Sequence, residues 1–383
     1  MAWMYAGFIA LVLILLALDL GVFHRKAHVV SMKEALGWSA FWIALGLAFA
    51  VFIYFGYERH WLGLGLTPDL MTVAPQTVDG VGLVYNDGSS ATIKYITGYL
   101  VEKSLAVDNI FVIAMIFGFF AVPAMYQHRV LFWGIVGALV MRGAMIAVGA
   151  QLIQRFTWII YVFAVFLIVT GIKMLLLKTN ETDPNRNLLV RLTRRIFPVS
   201  ERFHGQHFFV RAGSAASREA AIPGARVEVD RVVDAAPAGI LLATPLFLAL
   251  VMVEFTDVIF AVDSIPAIFA ITGDPFLVFT SNVFAILGLR SLYFALAGMI
   301  DKFRYLKVSL AFVLMVVGGK MMTHVWLKEL LGRHFNLYLL GVVLMILAVG
   351  VVASLVASRR EGVIVSLPAV PPTRRRDGGA DLA

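Results

Sequence analysis

The sequence predicts an all-α polytopic membrane protein of about nine transmembrane helices built around an inverted three-helix repeat. Two observations carry that prediction. Of 383 residues, 60% are hydrophobic and only 15% charged, with a mean hydropathy of +0.87; a soluble domain of this length has no use for so much apolar surface. Moreover, the segment Leu105-Ala106-Val107-Asp108-Asn109-Ile110, set in a long apolar stretch, returns as Phe260-Ala261-Val262-Asp263-Ser264-Ile265.

Apolar windows of about twenty residues place the crossings at 3–23, 37–56, 95–120, 130–152, 158–177, 239–271, 276–300, 306–323 and 335–356. The first lacks the basic start and small-residue cleavage site of a signal peptide, so it is expected to be retained. The sixth is too long for one perpendicular crossing and should tilt, kink or run partly outside the bilayer. Asp274-Pro275 reads as an N-cap and first-turn proline opening the seventh.

Lys and Arg fix the orientation. His24-Arg25-Lys26, His128-Arg129, the Arg-rich segment 178–238 and Arg359-Arg360 share one side, while 57–94 opposite is poor in Lys and Arg. The expected topology has the N-terminus outside and the C-terminus inside a cytoplasmic membrane. The units are then 1–94 (two helices and an outer loop), 95–177 (repeat one), 178–238 (a basic cytoplasmic loop of no recognisable fold), 239–327 (repeat two), 328–360 (the last helix) and a disordered tail, 361–383. The net charge of +8 reports orientation and contact with anionic lipid. No basic recognition helix or zinc-finger spacing points to nucleic acid. With no cysteine in the chain, disulfides, thiolate metal sites and thiol catalysis are excluded.

The repeat is longer than its acidic core. Gly137-Ala138-Leu139-Val140-Met141-Arg142 in the fourth span matches Ala285-Ile286-Leu287-Gly288-Leu289-Arg290 in the seventh, and Gly171-Ile172-Lys173-Met174 in the fifth matches Gly318-Gly319-Lys320-Met321 in the eighth. Paired acids, an Arg and a Gly-x-Lys-Met recur in order. The units start three spans apart, so they run in opposite directions, the arrangement found in secondary transporters with a site near the midplane.

A charge in the bilayer core costs at least ~2.5–3.5 kcal/mol on insertion scales. This chain carries Glu102, Asp108, Glu254, Asp257 and Asp263 inside its spans. Glu102 and Asn109 share a helix face, as do Asp257 and Ser264, because seven residues make nearly two turns. Asp108 and Asp263 point about 100° away, and no straight helix aims Glu254, Asp257 and Asp263 at one point. Pro266 is expected to bend or break the helix beside Asp263 and free carbonyls there. Arg142 and Arg290 are expected to pair with the repeat acids. Two arginines cannot neutralise five acids, so the remainder must be protonated or meet a cation. Asp19 is a weaker candidate, readable as an interfacial partner of Arg25, and Lys103 reads as a snorkelling boundary residue.

Carboxylate, amide, hydroxyl and carbonyl oxygens favour hard divalent ions such as Mg²⁺, Ca²⁺ and Mn²⁺. The expected metal-contacting set is Glu102, Asp108, Asn109, Glu254, Asp257, Asp263 and Ser264, with Asp19, supported by Arg142 and Arg290. No phosphate loop, His-Glu-x-x-His or nucleophile-base pair occurs, and Thr256-Asp257 and Ser281-Asn282 lack a catalytic partner. The chain therefore reads as a non-enzyme with no resident cofactor.

Glu102-Lys103-Ser104-Leu105-Ala106-Val107-Asp108-Asn109, the run Val253 to Pro266, and Thr280-Ser281-Asn282 through Arg290-Ser291-Leu292-Tyr293-Phe294 resemble the TerC/Alx family of integral membrane proteins, relatives of the LysE-type exporters. The likeness runs from Asp19 to the ninth span. It implies export of Mn²⁺ through the intramembrane acids. The family's tellurium-resistance label fits poorly, since surplus carboxylates repel an oxyanion. The leading expectation is a secondary exporter of Mn²⁺ or a similar hard dication, with carboxylates that discharge their ion by taking up protons. The alternative is a non-transporting scaffold of a metal or tellurium stress-response complex, recruiting protein partners through 178–238.

Overall fold

In a computed structural model of the chain, the structure describes residues 2–19, 30–72, 75–176, 193, 195, 197–222, 229–297, 305–323 and 335–360. The predicted tail 361–383 and most of 178–196 lie outside them. The described helices are α1 (Ala2–Leu18), α2 (Met32–Glu58), α3 (Gly88–Phe119), α4 (Ala124–Arg155), α5 (Ile159–Leu176), the short α6 (Arg231–Ala235), α7 (Pro245–Phe269), α8 (Pro275–Leu287), α9 (Leu289–Leu296), α10 (Leu306–Met322) and α11 (Phe335–Arg360). The nine predicted crossings correspond to α1, α2, α3, α4, α5, α7, α8 with α9, α10 and α11. By length and composition, among the described residues, α2, α4, α5, α7 and α11 can each cross a membrane, and α8 with α9, bent by 42°, is a sixth if the pair is counted as one span. Helix α3 is long enough, but Glu102, Lys103 and Asp108 interrupt its apolar run.

Local chemistry sets the helix starts. Ser31 and Glu34 form a capping box opening α2, and Asp87 accepts from Ser90 N at 2.6 Å to open α3. Asp274 caps α8 ahead of Pro275, as the sequence predicts. Helix α3 begins before its apolar window because its first turns pack against protein rather than lipid: Ala91 and Lys94 are buried.

The overlong sixth window is not helical throughout: residues 241–243 form strand β4, which pairs antiparallel with β3 (Phe209–Arg211), and the helix starts only at Pro245. One prediction about helix breaks needs correction. Pro266 does not break α7, which continues to Phe269. Pro266 lies in the last turn, where a lost donor and a ring clash disturb little of the helix downstream. The break falls at Gly288, between α8 and α9. A Cβ there would lie 2.8 Å from Trp42 Cβ and 2.9 Å from Lys103 Nζ, so only glycine admits both neighbours. Lys103 does not snorkel; its ammonium donates to the Ala285 carbonyl at 2.9 Å, within the last turn of α8, where carbonyls lack helical partners.

Packing between the two repeats is reciprocal. The first helix of each packs on the second helix of the other, α3 on α8 and α7 on α4, and the third helices, α5 and α10, pack on one another. A Cβ on Gly171 of α5 would lie 2.8 Å from the Ala311 carbonyl of α10, and one on Gly318 of α10 would lie 2.9 Å from the Ala164 carbonyl of α5. Ala164 and Gly171 match Ala311 and Gly318 in the repeat register. Each contact is thus the image of the other, as a two-fold relation between the units requires.

Residues 197–222 and 229–244 have structure that their composition conceals. Val210, Ala212, Val233 and Leu242 form a small core. Asp230 caps α6 and lies 3.2 Å from the buried His204 ring. The unit joins the bundle through Thr244, whose hydroxyl donates to the His207 carbonyl at 2.7 Å, and through Phe208, which lies under the Arg129 guanidinium of α4 at 5.3 Å. A second hairpin, β1 (Gln76–Val78) with β2 (Gly82–Val84), lies in the α2–α3 connection.

Candidate functional site

Four helices converge on one buried polar centre. Helix α3 brings Glu102 and Asn109 on the shared face that their spacing predicts, α4 brings Arg142, α7 brings Asp257 and Ser264, and α8 brings Asn282; all six are at least 95% shielded. Arg142 occupies the middle. It grips Asp257 through Nε at 3.1 Å and Nη2 at 2.8 Å, while Nη1 donates to Glu102. Nη1 also lies 3.3 Å from Ser264 Oγ and 3.5 Å from Asn282 Oδ1. Asn109 Nδ2 donates to Asp257 Oδ1 at 3.0 Å, joining the repeats directly.

Glu102 and Asp257, the matching acids of the two repeats, therefore share one guanidinium. Two carboxylates and one guanidinium leave a formal charge of −1 out of water, where each uncompensated ion costs several kcal/mol. The donor set around Arg142 is oxygen-rich, with two carboxylates, a hydroxyl and two amide oxygens. Asn109 Oδ1 is buried and accepts no hydrogen bond among the described residues. A cavity of about 10 Å³ beside it is lined by Asp257, Val253, Ala138 and Arg290 among others, enough for about one water.

The other expected site residues lie around this centre. The Glu254 carboxylate packs against Gly137 of α4, one position along the α7 surface from Asp257; any side chain at 137 would collide with it. Asp108 is half-buried in electrostatic reach of Lys307 on α10. Asp263 accepts from Thr170 of α5 at 3.3 Å. Both point off the central face, as the 100° offset predicts. Arg290 does not pair with a repeat acid, contrary to expectation; Arg25, the partner expected for Asp19, lies outside the described residues. Instead Arg290 Nη2 donates to Asp19 at 2.5 Å, both side chains being buried. The break at Gly288 is the physical reason: the 42° bend turns Arg290 off the line of α8 toward the end of α1. Among the described residues, no three His, Asp or Glu side chains are grouped to hold a metal ion.

Sequence reasoning missed Asn282, although it stands in the Thr280-Ser281-Asn282 run; a neutral amide in a span carries no charge signal. It also missed a second buried centre at the opposite ends of the helices from 197–244. There Lys94 Nζ donates to Asp69 at 2.8 Å, Thr72 at 2.9 Å and Asn86 at 2.6 Å. Asp69 also accepts from Thr272 Oγ1 and Gly273 N, each at 2.7 Å, and Tyr57 donates to Asp274 at 2.9 Å. Burial by itself pushes the Asp69 carboxyl up, but Lys94's charge and hydrogen bond, with those from Thr272 and Gly273, outweigh it and hold the group well below its ordinary value. The cluster ties the α2–α3 connection to the α7–α8 corner. Its one sequence signal was Lys94, the lone lysine of 57–94.

An all-helical bundle with apolar spans, reciprocal packing and a buried charge centre defines an integral membrane protein. The chain belongs to the TerC family of integral membrane proteins, whose sequence profile matches residues 87–362. It is 46% identical over 356 residues to the uncharacterized membrane protein STKORF319 of Myxococcus xanthus, covering 93% of each chain. It is 42% identical over 320 residues to the Escherichia coli K12 protein named "Putative membrane-bound redox modulator Alx", covering 83% of this chain and 85% of that one. An uncharacterized membrane protein of Rickettsia bellii is 37% identical over 324 residues, 85% and 88% of the two chains. No solved structure matches.

Proposed function

We propose that this protein is a secondary transporter that exports Mn²⁺, or a similar hard divalent cation, through the centre formed by Glu102, Asn109, Asp257, Ser264 and Asn282. One observation carries the reading: the matching acids of the two repeats, Glu102 and Asp257, converge on the same buried point. Paired carboxylates with amide and hydroxyl oxygens form a donor set for a hard dication. A site shared by two oppositely directed units also suits alternating access, because rocking one unit against the other exposes it to each side in turn. Asp108 and Asp263, off the central face, serve as stations on the way in or out. Protons are the natural counter-ions, since a carboxylate that releases a cation in a dry interior takes up a proton. A redox role of the kind in the relative's name would have to operate without thiols, as the chain has no cysteine.

The test is a manganese-sensitive cell strain lacking its own exporters, transformed with the full chain. Restored growth in manganese with lowered cell manganese is the expected result. Unchanged cell manganese at normal protein levels would defeat the reading.

A further inference from the structure

We propose that Arg142 is a built-in substitute for the transported cation, which holds the two repeat acids together between cargo ions and must be displaced by a dication. This rests on the transport reading above and assigns its selectivity to one side chain.

Glu102 and Asp257 are 1% and 5% exposed and come from opposite repeats. Without a cation between them they would repel each other in a medium of low dielectric. Arg142 supplies that cation through three of its nitrogens. Its hydrogen-bonding partners, Glu102, Asp257, Ser264 and Asn282, are the oxygen donors a hard dication would use. A guanidinium and a metal ion cannot occupy that point together, so cargo binding requires Arg142 to leave.

Charge also says which cargo succeeds. With Arg142 in place the centre is formally −1; with Arg142 withdrawn it is −2, matched by a dication and left unbalanced by a monovalent ion. The departing guanidinium has a destination. Glu254 lies three residues from Asp257 on the same surface of α7, a separation of about 5–6 Å between Cβ atoms. Its carboxylate packs on Gly137 of α4, the helix that carries Arg142. The exchange of partners on Arg142, from Asp257 and Glu102 to Glu254, keeps every charge compensated while the dication is held. A purely structural arginine would need neither the cargo's donor set nor a neighbouring third acid.

The experiment measures Tm of the purified full chain in detergent, with chelator, Mn²⁺, millimolar guanidinium or extra Na⁺, for wild type, Arg142→Gln and Arg142→Gln with Asp257→Asn. Arg142→Gln should melt well below wild type in chelator. Mn²⁺ at a hundredfold its Kd should raise its Tm by about 5 °C or more. Guanidinium should recover part of that, Na⁺ none, and wild type should shift less. The double variant keeps the wild-type formal charge; it should accumulate normally even if the single variant does not, and it should not transport Mn²⁺. If wild type transports Mn²⁺ while the Tm of Arg142→Gln is indifferent to both Mn²⁺ and guanidinium, Arg142 is structural and the transport reading survives alone. Wild-type transport by the double variant would likewise overturn the proposal. If wild type neither binds nor transports any dication, the transport reading falls and this proposal with it.

Discussion

Asp257 accepts both prongs of the Arg142 fork, Nε at 3.1 Å on one oxygen and Nη2 at 2.8 Å on the other, and so locks α4 of one repeat to α7 of the next. Glu102 of α3 holds the third nitrogen. Three charged side chains from three helices make one unit, and most of the expected outcomes follow from it.

Single neutralisation of either acid is expected to spare folding. Glu102→Gln leaves Arg142 with Asp257, and Asp257→Asn leaves it with Glu102, so the guanidinium is never stranded. Removing both acids strands it and should cost about 3–5 kcal/mol. Membrane protein levels of the two single variants and the double variant, compared side by side, check this.

Asp108→Asn and Asp263→Asn are expected to slow manganese export less than Glu102→Gln or Asp257→Asn, with protein levels near wild type. They face Lys307 and Thr170 rather than the centre. Initial efflux rates for the four variants give the ranking, and an inverted order would place the cargo elsewhere.

The sequence was informative where the signal is a charge or a period, and silent where it is a partner. Glu102 and Asp257 were identifiable because an acid in an apolar span is costly, and their shared faces followed from a seven-residue spacing. That Arg142 would pair with repeat acids was expected from its place in a span; that Glu102 and Asp257 would share it was not legible, because a contact between α4 and α7 across 115 residues leaves no local trace. Pro266 gave a louder break signal than Gly288, yet the glycine breaks its helix. The proline sits where α7 is ending anyway, whereas Gly288 must admit Trp42 and Lys103. Residues 197–222 and 229–244 hid their fold because their core is only a few small residues and their strands are three residues long.

Gly171→Ala and Gly318→Ala are expected to destabilise the bundle by similar amounts, about 1–3 kcal/mol each, because each added methyl meets a backbone carbonyl of the facing helix. Thermal melts in detergent report the losses. A large effect at one position and none at the other would argue against the reciprocal packing of α5 and α10.

Asp69 sets an acid limit on stability. Its folded value is depressed, so its contribution is complete above its ordinary value, about 3.9, and is lost as pH falls through the folded value. Asp69→Asn is expected to lower stability near neutrality, since it strands the buried Lys94, and to flatten the acid limb of the stability profile. Tm measured from pH 7 downward for wild type and variant tests this; parallel acid limbs would contradict it.

The most direct measurement is Mn²⁺ flux in proteoliposomes containing wild type, Glu102→Gln or Asp257→Asn at matched protein. Wild type is expected to move Mn²⁺ in preference to Na⁺ and K⁺, and each neutralised variant is expected to lose nearly all flux while still inserting and melting as a folded protein. Undiminished Mn²⁺ flux through both variants would show that the cation does not pass between the matching acids of the two repeats.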